Sequence, residues 1–211
     1  MTGPKSMNPT RRKLPSRDKK PVVYIFCEGE KTEPNYFAKW RERGMSVHVL
    51  PTSHSDPVGI VRDAKQKISE RSFEPDQGDS VWCVYDVDNN TDEILQRAFR
   101  LAIASKYNVV VSNPCFEIWY LLHYETIGSA LTSAEAQRRL LKHISQYTKS
   151  VDVFATLEPL IDRANQNAVR LAAKYSGQAD PVTKRACNPY SNAYELVGKL
   201  NEMRQRARRR R

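Results

Sequence analysis

Short apolar runs alternate with amphipathic stretches along the first half of the chain. The runs are rich in β-branched and aromatic residues, as is typical of buried strands, and they occupy residues 22–27, 47–50, 81–85 and 108–111. After each run, apolar residues recur at helical spacing. This alternation of strands and helices predicts an α/β fold with a mostly parallel sheet of about four strands flanked by helices.

The second half of the chain is predicted to be mostly helical. Apolar residues follow helical spacing over residues 133–147, over 157–175 and from 189 onwards. The N-terminal residues are rich in charge and proline and have no apolar period, which indicates a disordered arm. The expected organisation is a basic arm (1–20), an α/β core (21–125), a helical extension packed on that core (126–200) and an Arg-rich tail (201–211).

Two carboxylates end the third predicted strand. Because side chains alternate along a strand, Asp86 and Asp88 are expected to point to the same side. Two like charges so close repel each other unless a cation compensates, and oxygen ligands favour Mg²⁺ or Mn²⁺. The alternative is a strand that enters a solvated acidic turn, with Asp92 as the cap of the next helix.

Polar residues also follow the first and fourth strands. Glu28 ends the first strand, and a sharp turn with positive φ is expected at Gly29. Asn113 is predicted to cap a helix opened by Pro114, which leaves Glu117 one place past a capping box. Ligands of parallel sheets bind at the carboxyl ends of the strands, where all these residues meet. Their shared edge favours a metal site over a simple turn.

Two further polar segments have local interpretations. Thr32 or Glu33 is expected to cap the helix that has Pro34 in its first turn. His54 lies in a polar loop and is a candidate for contacting a substrate phosphate. The alternative is that His54 is simply exposed, as most lone loop histidines are.

The formal net charge of +10 is concentrated at the two ends of the chain. Seven Lys/Arg and one Asp in residues 1–20 give +6, six Arg and one Glu in residues 201–211 give +5, and the remainder totals −1. Such ends either bind phosphate backbones without sequence preference or are merely solvated. Because the body of the chain is not basic, the tails, the metal or a partner are expected to bind the substrate. The predicted nucleic-acid contacts are His54, Arg208, Arg209, Arg210 and Arg211.

Cysteine use and hydropathy indicate the compartment. The four cysteines are scattered without a CxxC pair, so neither a zinc site nor a disulfide framework is expected. Cys27, Cys83 and Cys115 lie in or beside apolar runs and are predicted to be buried thiols. With no apolar run of membrane-spanning length, a cytoplasmic protein is expected.

An acid after the first strand and an Asp-x-Asp after the third form a layout for metal-assisted phosphoryl chemistry. Asp86 and Asp88 would hold the ion, and Glu28 would act as general base or complete the metal shell. A second metal reached through Glu117 or Glu30 would allow in-line displacement by water. The candidate metal ligands are therefore Glu28, Asp86 and Asp88, and Glu117 joins them as a candidate catalytic residue.

Four stretches of the chain carry a family resemblance, namely FCEGEKTEPNYF (26–37), VYDVDNN (84–90), SNPCFEIWYLLHY (112–124) and NPYSNAYELV (188–197). They resemble the RloB-like family, which is associated with bacterial restriction loci and abortive phage resistance. The resemblance implies a Toprim-like fold, with the Toprim glutamate at Glu28 and the Asp-x-Asp at Asp86 and Asp88. Glu117 lies within a family motif.

The resemblance implies a metal-dependent nuclease in anti-phage defence, acting on RNA such as tRNA or on DNA, often beside a partner ATPase. No Walker A sequence is present, so an ATPase would be a separate chain. The competing hypothesis is a non-catalytic nucleotide- or nucleic-acid-binding module that regulates that ATPase. The sequence is also compatible with a homo-oligomer.

Overall fold

A computed structural model describes residues 20–88, 90–177 and 180–209 of the chain. The predicted arm up to residue 19, together with Arg210 and Arg211, lies outside the described residues. Within them, no helix is long and apolar enough to cross a bilayer.

A five-stranded sheet forms the centre of the described chain. Its strands are β1 (Val22–Cys27), β2 (Ser46–Pro51), β3 (Ser80–Asp86), β4 (Asn108–Asn113) and β5 (Tyr190–Ser191), in the spatial order β2-β1-β3-β4-β5. The first four strands are parallel and β5 is antiparallel to β4. The prediction of a mostly parallel sheet flanked by helices is confirmed. The fifth strand was not predicted, because two residues are too short to show an alternating pattern.

Eight α-helices flank the sheet within the described residues. They are α1 (Thr32–Ala38), α2 (Pro57–Ser69), α3 (Asp92–Ala104), α4 (Glu117–Leu122), α5 (Ser133–Leu141), α6 (Phe154–Leu157), α7 (Ile161–Ala173) and α8 (Ala193–Arg209), with 3-10 turns at Pro75–Gln77 and Glu158–Leu160. The helix predicted over 157–175 is interrupted by the second turn, which contains Pro159. Residues 201–209 of the expected tail continue α8.

The sheet separates two apolar layers. Side chains of β1 alternate, so that Val23 and Ile25 belong to the layer formed with α1, α4, α5, α7 and α8, while Tyr24 and Phe26 belong to the layer formed with α2 and α3. Strands buried on both faces show continuous apolar runs, which is why these strands were visible in the sequence. All four cysteines are free and buried, as predicted for three of them.

Asparagine side chains attach β5 and the segment before it to β4. Asn192 accepts a hydrogen bond from the amide of Val111 (2.7 Å) and donates one to the carbonyl of Val109 (3.0 Å). The Asn113 amide donates to the carbonyls of Arg185 and Cys187, both at 2.9 Å. The predicted cap role of Asn113 is therefore wrong: Asn113 ends β4, its side chain is used across the sheet edge, and α4 begins at Glu117.

Candidate active site

A cavity of about 330 Å³ opens at the carboxyl edge of the sheet, between the ends of β1 and β3 and the start of α4. Its position follows from the parallel register, which places the ends of neighbouring strands side by side. The structure brings all four predicted catalytic residues to this cavity and adds two more acids. The acidic lining residues are Glu28, Glu30, Glu33, Asp86, Asp88 and Glu117.

Glu28 links the ends of β1 and β3. Its backbone amide donates to the carbonyl of Val84 (2.9 Å), and its carboxylate Oε2 accepts from the backbone amide of Asp86 (2.8 Å). Burial raises the pKa of Glu28 to about 7, with the Asp86 amide opposing the rise and the charges of Glu33 and Asp88 adding to it. Glu28 is thus held in place and titrates close to neutral pH.

Asp86 carries an unsatisfied carboxylate oxygen. Its Oδ1 is buried and has no hydrogen-bond partner among the described residues. Burial raises the pKa of Asp86 well above its ordinary value, and the neighbouring charges of Glu33, Glu28 and Glu117 raise it further. A buried oxygen without a partner is costly, and either a proton or a cation would relieve that cost.

Asp88 reaches the cavity from a turn. β3 ends at Asp86, so a turn rather than strand alternation brings Asp88 to the same cavity as Asp86. Asp88 is exposed, has a φ of +25° and donates its amide to the carbonyl of Pro114 (3.1 Å). Asp88 lines the cavity all the same, so the turn and the shared acidic site coexist.

Glu33 is a cavity residue that sequence reasoning assigned to a different role. It was considered as a helix cap, but α1 has Lys31 at its N-cap position without a side-chain cap bond, and Glu33 is buried. Burial raises its pKa, Glu117 raises it further, and both Lys149 and the Gly29 amide lower it. The sequence signal for a place in the site was its position five residues after Glu28, with a glycine between the two acids.

Gly29 is required for space rather than for a positive φ. The predicted positive φ is wrong, since the positive-φ glycines of the described chain are Gly44, Gly78 and Gly177. A Cβ at Gly29 would instead overlap the Glu33 carboxylate. The glycine lets the backbone between the two glutamates approach the buried acid closely.

The helical part of the chain supplies one wall of the cavity. Glu117, the first residue of α4, is 2% exposed, and its Oε1 accepts from the Tyr147 hydroxyl (3.0 Å) and from Gln137 Nε2 (3.3 Å). The Tyr147 segment also carries Lys149, whose carbonyl accepts from the Thr32 hydroxyl (3.5 Å). The segment after α5 therefore closes the cavity over α1 and α4.

Two lysines stand among the acids. Lys31 and Lys149 are exposed and line the same cavity. The near-neutral charge of the chain body predicts that phosphate binding depends on the tails, a metal or a partner. The structure shows that the cavity itself presents two cationic side chains beside its carboxylates.

A family model described as RloB-like protein matches residues 23–200. The chain belongs to the RloB-like family. The matched range contains all of the sheet except Val22, together with all the acids and lysines of the cavity, and confirms the resemblance seen in the four stretches. No curated protein and no solved structure matches the chain.

Three predicted nucleic-acid contacts of this RloB-like protein lie in the described residues, namely His54, Arg208 and Arg209, and none of them lines the cavity. His54 is exposed in the loop after β2, where its side chain lies against Gly59 at the start of α2. Arg208 is paired with Glu42 (3.0 Å) and Arg209 is exposed at the end of α8. Arg210 and Arg211 lie outside the described residues.

The donor set of the RloB-like cavity fits a hard divalent cation. Carboxylate oxygens suit Mg²⁺ and Mn²⁺, and the unpartnered Oδ1 of Asp86 offers a donor. Across residues 20–88, 90–177 and 180–209, however, no three Asp, Glu, His or Cys side chains are already grouped to hold a metal ion. The chemistry of the acids fits such an ion, while their present arrangement does not form a closed shell.

Proposed function

We propose that this RloB-like protein is a Mg²⁺- or Mn²⁺-dependent nuclease that hydrolyses phosphodiester bonds in RNA, including tRNA, or in DNA. The observation that carries the proposal is the buried, unpartnered Oδ1 of Asp86, surrounded by the carboxylates of Glu28, Glu33 and Glu117. Groups with strongly raised pKa values clustered in a cavity are typical of functional sites.

We assign three roles to the cavity residues: binding the cation, transferring a proton and contacting the phosphate. Glu28, Asp86 and Asp88 would hold the cation, which when bound supplies Lewis-acid polarisation and charge neutralisation at the phosphate. As the alternative to completing the metal shell, Glu28 would act as general base and accept a proton from the attacking water. Lys31 and Lys149 neutralise the phosphate that approaches the acids.

Glu117 acts on the same reaction less directly. Its Oε1 is occupied by Tyr147 and Gln137, which fix it at the wall of the cavity. We propose that Glu117 sets the charge at Asp86 and Glu33, since it raises the pKa of both. A second cation reached through Glu117 or Glu30 remains part of the proposal, because both line the cavity.

The biological setting of the proposal comes from the family resemblance. We propose a cytoplasmic effector in anti-phage defence that acts beside an ATPase encoded as a separate chain. The competing function is a non-catalytic module that binds nucleotide or nucleic acid at this edge and regulates the ATPase. One observation favours that competitor, namely that the described acids are not already grouped as metal ligands.

Cleavage by the purified protein distinguishes the two functions. Total RNA, plasmid and single-stranded DNA are incubated with Mg²⁺, with Mn²⁺ or with EDTA. We expect cleavage with either ion, none with EDTA, and a loss of at least 100-fold in Asp86→Asn, by analogy with the loss of other charge-stabilising groups. Glu93→Gln, an exposed acid on α3, is the matched control and should cut like the wild type. Wild-type cleavage by folded Asp86→Asn, or cleavage in EDTA, would reject the assignment.

A further inference from the structure

A second candidate binding surface lies at the opposite end of the sheet. A groove of about 310 Å³ forms where the last turns of α8 pass the residues that precede β1, β2 and β3. Its cationic residues are Lys20, Lys199 and Arg206, and its one acid is Glu202. We call this surface the amino-edge groove.

The amino-edge groove and the acidic cavity are separated by the length of the strands. Lys20 precedes β1, whereas Glu28 follows it, and β1 itself has six residues. At about 3.3 Å per residue, the two surfaces are about 20 Å apart along the strand direction. A molecule held in the groove therefore does not by that contact touch the carboxylates of the same chain.

Two other arginines of α8 are already used within the fold. Arg204 is buried, stacks 4.3 Å from the centre of the Trp40 ring and pairs with Glu42 and Glu158 at 3.0 and 2.5 Å. Arg208 also pairs with Glu42. These side chains anchor α8 to the core and are not available to a partner.

Arg206 and Lys199 differ from those arginines. The side chain of Arg206 is 71% exposed and lies 3.9 Å from Glu202, whose side chain is 65% exposed. Such a solvent-exposed ion pair contributes little to stability, so Arg206 can exchange Glu202 for another anion. Lys199 has no ion-pair partner in the described part of the chain. Both cations can therefore pair with an anionic partner without disturbing the packing of α8.

The charge of the groove identifies the class of partner. Residues 1–19, which precede Lys20, carry six Lys/Arg and one Asp, so like-charge repulsion disfavours that segment as the occupant. We propose that the amino-edge groove binds the phosphate backbone of a nucleic acid, at a distance from the cavity. The identity of this polyanion rests on the proposed nuclease function, but binding at the groove does not require cleavage.

The separation of the two surfaces predicts a length requirement. A strand that runs from the groove to the cavity must cover at least about 20 Å, the length of β1. Oligonucleotides too short to span this distance reach only one surface at a time. With a cation bound among the carboxylates, longer ones gain affinity from both surfaces because the second contact is intramolecular.

Fluorescence anisotropy in EDTA with labelled 20-mer single-stranded RNA and DNA tests the groove without any cleavage. For Lys199→Gln/Arg206→Gln we expect at least 10-fold weaker binding of the 20-mer and a salt slope lower by about 1.4, the value for two lost phosphate contacts on a single strand. Arg97→Gln/Arg100→Gln, which removes two exposed cations from α3, is the matched control and should bind like the wild type. Lys199→Arg/Arg206→Lys should restore binding, which excludes a folding defect.

Unchanged 20-mer affinity and salt slope in the folded double variant would overturn the groove proposal. Equal loss in the α3 control would also overturn it, by showing that only overall charge matters. A double variant that binds normally and still cuts leaves the nuclease intact and removes the groove. Loss of 20-mer binding without any metal-dependent cleavage by the wild type keeps the groove and removes the nuclease.

Discussion

The backbone amide of Asp86 donates a 2.8 Å hydrogen bond to the carboxylate of Glu28. The two residues end neighbouring parallel strands, β3 and β1, and the bond fixes one acid against the backbone of the other. It holds Glu28 Oε2 while Asp86 Oδ1 stays without a partner. The site thus combines one positioned carboxylate, Glu28, with a second, Asp86, that keeps one oxygen without a partner.

Gly29→Ala is expected to disable the site while leaving the protein folded. The new methyl group overlaps the Glu33 carboxylate, so Glu33 must leave its position beside the backbone. Because the overlapped atoms are the far end of a flexible side chain beside an open cavity, we expect stability to change by less than about 1 kcal/mol and cleavage to fall by more than 10-fold. Chemical denaturation and the cleavage assay measure the two effects separately.

Gly198→Ala is the matched control for that glycine. Nothing lies within 4 Å of a Cβ at Gly198, which is inside α8, so alanine should raise stability by about 0.5–1 kcal/mol and leave cleavage unchanged. Equal activity in the two variants would show that the position of Glu33 does not matter for the reaction.

The stability of the metal-free protein should depend on pH through Glu28. The pKa of Glu28 is about 7 in the folded protein against an ordinary value of 4.5, so its protonated form favours folding. This contribution is fully present below pH 4.5 and is lost as pH rises to about 7. The free energy of unfolding of Glu28→Gln, relative to the wild type, should therefore rise by roughly 1–2 kcal/mol as pH increases from 4.5 to 7. This figure allows for solvent screening of a partly exposed group.

Denaturant unfolding in EDTA across that pH range measures the difference between the two proteins. The comparison between variant and wild type is needed because His123 changes stability in the opposite direction. Burial lowers the pKa of His123 to about 4, so the stability contributed by its neutral form is lost as pH falls below 6.5. A constant difference between Glu28→Gln and the wild type would contradict the raised pKa of Glu28.

Tyr147→Phe is expected to destabilise the protein by about 1–2 kcal/mol. The variant removes the hydroxyl that donates to Glu117 at 3.0 Å and leaves this buried side chain with the longer 3.3 Å bond from Gln137 and its contact with Cys115. Tyr85→Phe is the control, since the Tyr85 hydroxyl is buried without a partner among the described residues, and its removal should be neutral or stabilising. Thermal and denaturant unfolding measure both variants. Equal losses of unfolding free energy in Tyr147→Phe and Tyr85→Phe would show that the contact with Glu117 does not stabilise the protein.

The sheet and the position of Glu28 and Asp86 were predictable because they depend on chain order. Strands buried on both faces leave continuous apolar runs, and parallel strands bring their carboxyl ends to one edge. Glu33 was assigned to a cap because acids are common in the first turn of helices, and sequence does not show that this one turns inwards.

Other features depend on packing that no local pattern records. Lys149 and Tyr147 reach the cavity only because the segment after α5 folds back over α1 and α4. Arg204 lies in a run of arginines that suggested a solvated tail, yet it is buried against Trp40. Composition placed the positive charge at the chain ends, while the structure shows which of those cations support the fold.

Calorimetric titration with Mn²⁺ tests the metal site most directly. At pH 6, in buffers of different ionisation enthalpy, we predict that Mn²⁺ binds the wild type and releases a proton, because Glu28 is largely protonated there and must ionise to bind. Asp86→Asn should bind Mn²⁺ at least 10-fold more weakly, and the exposed-site control Glu93→Gln should bind normally. Equal Mn²⁺ affinity and equal proton release in the wild type and Asp86→Asn would contradict the assignment of this cavity as the metal site.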